Sequence, residues 1–189
     1  VEKVIRKPFS VNDMEAMRSQ CKRIRDRALI EFLYSTGVRI SEAVALNIGD
    51  IDMERLELIV FGKGGKERKT YFTEGAKFHL SRFFRERCLR EQITYEELKD
   101  RQLFVSSDKN HRRMTYNKVQ DMLRTLGRRA GVEMVHPHRF CRTIATDLLN
   151  RGIPIEQVRD FLGYEKLDTT LIYCAVREEE TYDLISKAL

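Results

Sequence analysis

The chain contains no tryptophan, only three prolines among 189 residues, and four cysteines (Cys21, Cys88, Cys141, Cys174) that are widely spaced and form no C-x-x-C pair. Such spacing argues against a disulfide framework or a zinc site and for a reducing cytoplasm. No apolar run approaches the length of a membrane span, and no signal peptide opens the chain. Low complexity, internal repeats and Gly/Ser linkers are likewise missing. Because the chain begins at Val1 without a methionine, it is expected to be a piece of a longer polypeptide.

What is present describes an ordinary globular domain, with 42% hydrophobic and 34% charged residues. The formal charge of +6 points toward a polyanionic partner, although a solvated basic surface explains it equally well. Ser10 followed by Asp13 forms a capping pattern that starts a helix near Val11. Ile24, Ala28, Leu29, Phe32 and Leu33 share one helical face, with Gly37 as the stop. A short amphipathic helix carrying Arg39 should end near Leu46. The period then changes: β-branched and alternating residues flank Gly62, Gly64 and Gly65, predicting a β-hairpin. Helices are expected over 74–88 and 116–130 with a short strand, "LFVS", between them. The last third reads as helices over 137–151, 154–162, 168–175 and 178–188, broken at Gly152 and Gly163. The fold class is therefore mostly α with a small antiparallel β-sheet (α+β), as one domain over residues 1–189.

Four separated stretches carry a common chemistry. Arg39 and Glu42 in "TGVRISEAVAL" lie three residues apart on one helical face. Lys63 sits at the tip of the hairpin in "FGKGGKERK". "HPHRFCRTIATDLLNRG" offers His136, His138, Arg139 and Arg142 around Cys141. "FLGYEKLDTTLIYCAV" supplies Tyr164 and Tyr173. Each has an ordinary reading taken singly: a surface ion pair, a solvated turn, a core tyrosine.

Taken together and in this order, these stretches resemble the tyrosine recombinases, the family of phage and transposon integrases and chromosome-dimer-resolving recombinases. The resemblance runs from "FSVNDMEAM" to the C-terminal helix. It implies the catalytic-domain fold and an enzyme that breaks and rejoins DNA through a 3′-phosphotyrosine bond, without metal or other cofactor. Tyr173 matches the nucleophile and Arg39 the first phosphate-binding arginine. Glu42 would hold Arg39 in place, and Lys63, with Lys66 as the second choice, would protonate the leaving 5′-oxygen. Lys66, Arg68 and Arg142 are expected to contact DNA. Guanidinium forks suit the growing charge of a phosphoryl transition state.

The third stretch departs from the family pattern. By letter, His136 and Arg139 fit His-x-x-Arg. Counting back from "IAT" instead makes His138 the histidine and puts Cys141 where the second arginine belongs, and the spacing to Tyr164 and Tyr173 favours this register. A thiol cannot supply a forked cationic donor, so Arg139 and Arg142 become the candidate substitutes. Tyr164 replaces the usual histidine or tryptophan and keeps a hydroxyl donor. The resemblance thus implies a site-specific recombinase or integrase of a mobile element with cleavage impaired at Cys141. The alternative is a recombinase-fold DNA-binding module that has lost cleavage. It further implies double-stranded DNA recombination sites as partner, a homotetramer on DNA with a monomer in isolation also open, no membrane, and a cytoplasmic, nucleoid-associated location. The core-binding and arm-binding domains that usually precede this one are expected to lie outside residues 1–189.

Overall fold

The computed structural model describes residues 7–62, 65–107 and 110–164. Ser10 caps α1 (Val11–Ser19): its hydroxyl accepts from the Asp13 N–H, and the Asp13 carboxylate accepts from the Ser10 N–H, the expected reciprocal box. Next comes α2 (Ile24–Thr36), which ends at Gly37 in the left-handed conformation. This helix is buried nearly all round, Arg25, Asp26 and Glu31 included, rather than on one face. Packing between α4 (Glu74–Glu91) on one side and α7 (Pro137–Asn150) on the other explains the difference. A helix enclosed on both sides must pair its charges internally. Arg25 accordingly bonds Asp26 and the Val105 carbonyl.

The short helix α3 (Ile40–Ala45) leads through a 3-10 turn (Ile48–Asp50) to an antiparallel sheet of β1 (Ile51–Asp52), β2 (Glu57–Phe61) and β3 (Glu67–Tyr71). The predicted hairpin is β2–β3, with Val60 opposite Arg68 and Leu58 opposite Thr70. Leu58, Val60 and Thr70 face the core, whereas Ile59, Phe61 and Tyr71 face outward. After α4 come α5 (Tyr95–Lys99), α6 (Tyr116–Ala130), α7 and α8 (Ile155–Leu162).

Several local expectations change. The residues "LFVS" are buried but do not form a strand. Among the described residues they take part in only isolated bridging, Asn47 with Gln102 just before them and Val105 with Arg113 within them, so no ladder propagates. Helix α4 runs one turn past Cys88, and α5, too short for a clear period, was not anticipated. Arg39 is the N-cap of α3 rather than a residue within it. The helices expected over 168–175 and 178–188 lie outside the described residues.

One large core joins α1, α2, α4, α6 and the sheet; a smaller cluster of Ala145, Leu149, Val158 and Leu162 welds α7 to α8. Gly37 lies where these units meet. A Cβ there would collide with Leu162 Cδ2 and come within 3.1 Å of Ile144 Cγ2, and its φ of 62° already disfavours a side chain. The close approach of α7 and α8 to this turn fixes where Arg39 emerges.

Candidate functional site

Arg39 enters the site because α2 stops at Gly37 and α3 starts three residues later, at Ile40, with Arg39 as its N-cap. Its backbone N–H donates to Glu42 Oε2 (2.8 Å) and its Nη1 to Glu42 Oε1 (3.0 Å). Its Nη2 donates to the Gly163 carbonyl at 3.2 Å, and the guanidinium lies 5.8 Å from the centre of the Tyr164 ring. The side chain keeps 35% of its exposure, so it remains open to a ligand.

Glu42 is buried and shared. Arg68, reaching inward from β3, donates Nη1 to Oε1 (2.7 Å) and Nη2 to Oε2 (2.9 Å). Burial alone would raise the Glu42 carboxyl, but the Arg68 hydrogen bonds, the Arg39 N–H and both positive charges hold it below the usual range. Arg68 Nε also donates to the Phe161 carbonyl at 3.2 Å. Arg68, expected as a DNA contact, lines the same cavity as Arg39 and spends its hydrogen bonds on Glu42 and the end of α8. The cue was in the strand: Arg68 and Thr70 share a face by alternation, opposite exposed Glu67, Lys69 and Tyr71.

The α7 residues separate by helical geometry. His138 and Arg142, one turn apart, line a large cavity with Arg39, Lys66 and Tyr164. The cavity measures about 2050 Å³ and also borders Asp52, Glu54 and Glu57 at the base of the sheet, so an anion is favoured at its arginine-rich end. His136 is the N-cap of α7 and is not among the cavity residues. Arg139 points elsewhere: it donates to the carbonyls of Lys7 (3.0 Å), Glu133 (2.6 Å) and Pro8 (3.2 Å), pairs with Asp13 (3.3 Å) and stacks over Phe9 at 4.2 Å. It ties α7 to the segment before α1 and does not line the cavity.

Cys141 is buried against the Gly37 turn and does not line the cavity. Its Sγ donates to the Gly37 carbonyl at 3.2 Å, and burial pushes the thiol up to about 11 despite the nearby Arg39 charge. Tyr34, unnoticed in the sequence, steadies the same helix by donating from its hydroxyl to Asp147 at 2.7 Å. Lys63 and Tyr173 lie outside the described residues. Among the described residues, no group of three His, Cys, Asp or Glu side chains is placed to hold a metal, and no helix is long and apolar enough to cross a membrane.

Comparison with known proteins identifies the family of the chain. Residues 10–180 match the model of the phage integrase family. Tyrosine recombinase XerC of Leptospira interrogans is 32% identical over 196 residues, an alignment covering 100% of this chain and 60% of the relative. XerC of Oceanobacillus iheyensis is 34% identical, over 96% of this chain and 58% of the relative. The chain thus spans about 60% of the length of these curated relatives. The crystal structure of XerA recombinase superposes with a TM-score of 0.76 at 27% identity, covering 94% of this chain and 65% of that one. XerH site-specific recombinase bound to a palindromic difH substrate gives 0.74 at 22% identity, covering 95% and 52%, and so bears on the fold alone. The chain belongs to the phage integrase family, the tyrosine recombinases, and has the fold of their catalytic domain.

Proposed function

We propose that the protein breaks and rejoins double-stranded DNA at recombination sites through a 3′-phosphotyrosine intermediate, with Tyr173 as the nucleophile. The observation that carries this reading is the placement of Arg39, His138, Arg142 and Tyr164 on one cavity beside the β2–β3 hairpin. In the proposed step the Tyr173 oxygen forms a bond to the scissile phosphorus as the bond to the 5′-oxygen breaks. The phenol loses its proton to a base, and Lys63, or Lys66 from the same turn, supplies one to the leaving oxygen. Negative charge growing on the non-bridging oxygens meets Arg39 and Arg142, and His138 and Tyr164 offer further hydrogen bonds. Glu42 and Arg68 act by holding Arg39 rather than by touching the phosphate. The linkage energy is kept in the phosphotyrosine bond, so rejoining needs no external energy source.

The second reading, a recombinase-fold module that grips DNA but cleaves poorly, is favoured by one observation: Cys141 points its thiol at a backbone carbonyl. Arg142, on the adjacent helical position, supports retained activity. Assembly as a homotetramer on DNA, with a monomer in isolation, and a cytoplasmic, nucleoid-associated location complete the proposal. A nicked duplex that traps the covalent intermediate tests it. An adduct that disappears in Tyr173→Phe and persists in Tyr164→Phe supports cleavage; DNA binding with no adduct in the unaltered protein supports the second reading.

A further inference from the structure

A second cationic groove lies outside the cavity just described and shares no residue with it. It measures about 580 Å³ and is walled by the end of α4, the segment after α5 and the turn leading into α6. Arg87, Arg90, Arg101, Arg112 and Arg113 line it, with Glu91 as its acidic residue.

Two of these arginines are structural. Arg87 is 1% exposed; it pairs with Glu91 through Nε (2.7 Å) and Nη2 (3.3 Å) and donates to the Gln102 carbonyl, which uses up the groove's carboxylate. Arg113 is held by the carbonyls of Val44 (2.7 Å) and Leu46 (2.8 Å) and by Asn47 Oδ1 (2.6 Å). Arg90 reaches Glu86 at 3.4 Å and Glu91 at 3.9 Å, a weak share of charge already engaged. Arg101 and Arg112 are exposed and make no side-chain hydrogen bond or ion pair among the described residues. His111, which precedes Arg112 and also lines the groove, is held at a φ of 45°, and its Nδ1 is buried with no hydrogen-bond partner among the described residues. Buried polar atoms are normally satisfied, and a side chain in the left-handed region is uncommon. Among the described residues, the groove therefore keeps two guanidinium groups with no hydrogen bond or ion pair, Arg101 after α5 and Arg112 in the turn, beside a histidine, while Glu91 is already paired with Arg87.

We propose that this groove binds a phosphate group, gripped by Arg101 and Arg112 over the rigid floor of Arg87 and Arg113. Forked donors suit phosphate oxygens, and the fixed floor lowers the ordering cost. A DNA backbone phosphate is the source favoured by the residues that follow the groove: Thr115, Tyr116, Asn117 and Lys118 are all exposed at the start of α6. That source rests on the proposed function; a free phosphate does not.

The test uses Arg101→Gln/Arg112→Gln against a charge-matched control, Arg55→Gln/Arg85→Gln, on exposed positions outside both cavities. The His111 ring resonance, assigned with His111→Gln, is followed by NMR during titration with inorganic pyrophosphate. It shifts saturably in the unaltered protein and the control, and the shift is lost in the groove variant. In parallel, duplex binding is measured against salt. If the source is DNA, the groove variant lowers the salt slope by about one, beyond any change in the control. A pyrophosphate response with an unchanged slope assigns the groove to a free phosphate. Equal behaviour of groove variant and control in both arms overturns the proposal. Because neither arm reads cleavage, a protein that binds but does not cut still gives a decisive result.

Discussion

Arg68 on β3 and Glu42 on α3 face each other in a two-bond ion pair, 2.7 and 2.9 Å, with side chains only 10% and 4% exposed. The pair joins β3 to the start of α3, and Arg68 Nε extends it to the end of α8. The residues that position Arg39 and Tyr164 thus form one unit: Glu42 grips Arg39, Arg39 grips the Gly163 carbonyl, and Arg68 grips both sides.

Removing Arg68 should therefore lower both stability and cleavage. Arg68→Gln is expected to cost about 2–4 kcal/mol by urea denaturation, since breaking a buried pair leaves its partner under-compensated. Cleavage of the nicked duplex should fall at least about 10-fold, with Arg68→Lys intermediate because an ammonium lacks the fork. Full cleavage by Arg68→Gln would mean that the pair does not position the site.

The two arginines of α7 should behave oppositely. Arg142→Gln is expected to slow adduct formation by about 100-fold, the usual cost of one preorganised donor. Arg139→Gln should leave the rate within about threefold and lower stability by about 1–2 kcal/mol through lost hydrogen bonds to the chain before α1. Rate constants and unfolding midpoints for the pair decide this, and the reverse order would reassign the phosphate contact to Arg139.

Restoring a guanidinium should help if Cys141 occupies the second arginine's place. Cys141→Arg is expected to raise the adduct rate at least about tenfold. The gain should be smaller in an Arg142→Gln background if both side chains serve one oxygen, which a double-mutant cycle measures. A flat or reduced rate in a variant that remains folded counts against this register.

Gly163 has φ 66°, and a Cβ on it would lie 2.7 Å from Arg68 Cδ. Gly163→Ala is expected to cost about 1–2 kcal/mol from backbone strain alone, and to slow cleavage by moving Tyr164 and the carbonyl that Arg39 holds. Thermal unfolding together with the nicked-duplex assay reads both effects.

Stability should depend on pH at both ends. Burial raises the Cys141 thiol from its ordinary 9.0 to about 11, so its contribution is complete below pH 9 and is lost as pH rises through about 11. Urea midpoints should fall over that window, and Cys141→Ser should flatten part of the fall. At the acid end, Glu42 and Glu31 are held below 4.5 against the effect of their burial by their arginine partners. Their contribution is present above pH 4.5 and disappears as pH falls through the lowered values. An acid limb unchanged in Glu42→Gln would show that Glu42 does not contribute to it.

The sequence by itself determined the elements whose causes are local. Ser10 and Asp13 start α1, Gly37 ends α2, the alternation around Gly62–Gly65 makes the hairpin, and α6 spans Tyr116–Ala130 as its period predicts. The order of its motifs also determined the family. Tertiary structure alone decided which cations share a cavity. His138 and Arg142 were separated from His136 and Arg139 by the way α7 packs on α2 and α8, because a rotation of 100° per residue sends neighbours to different surroundings. Arg68 was diverted from solvent to Glu42 because the Gly163 turn closes over its side chain, a contact 95 residues away along the chain. Non-local packing of this kind leaves no periodic trace, so a motif can name the chemistry of these side chains while only the folded chain assigns each one its partner.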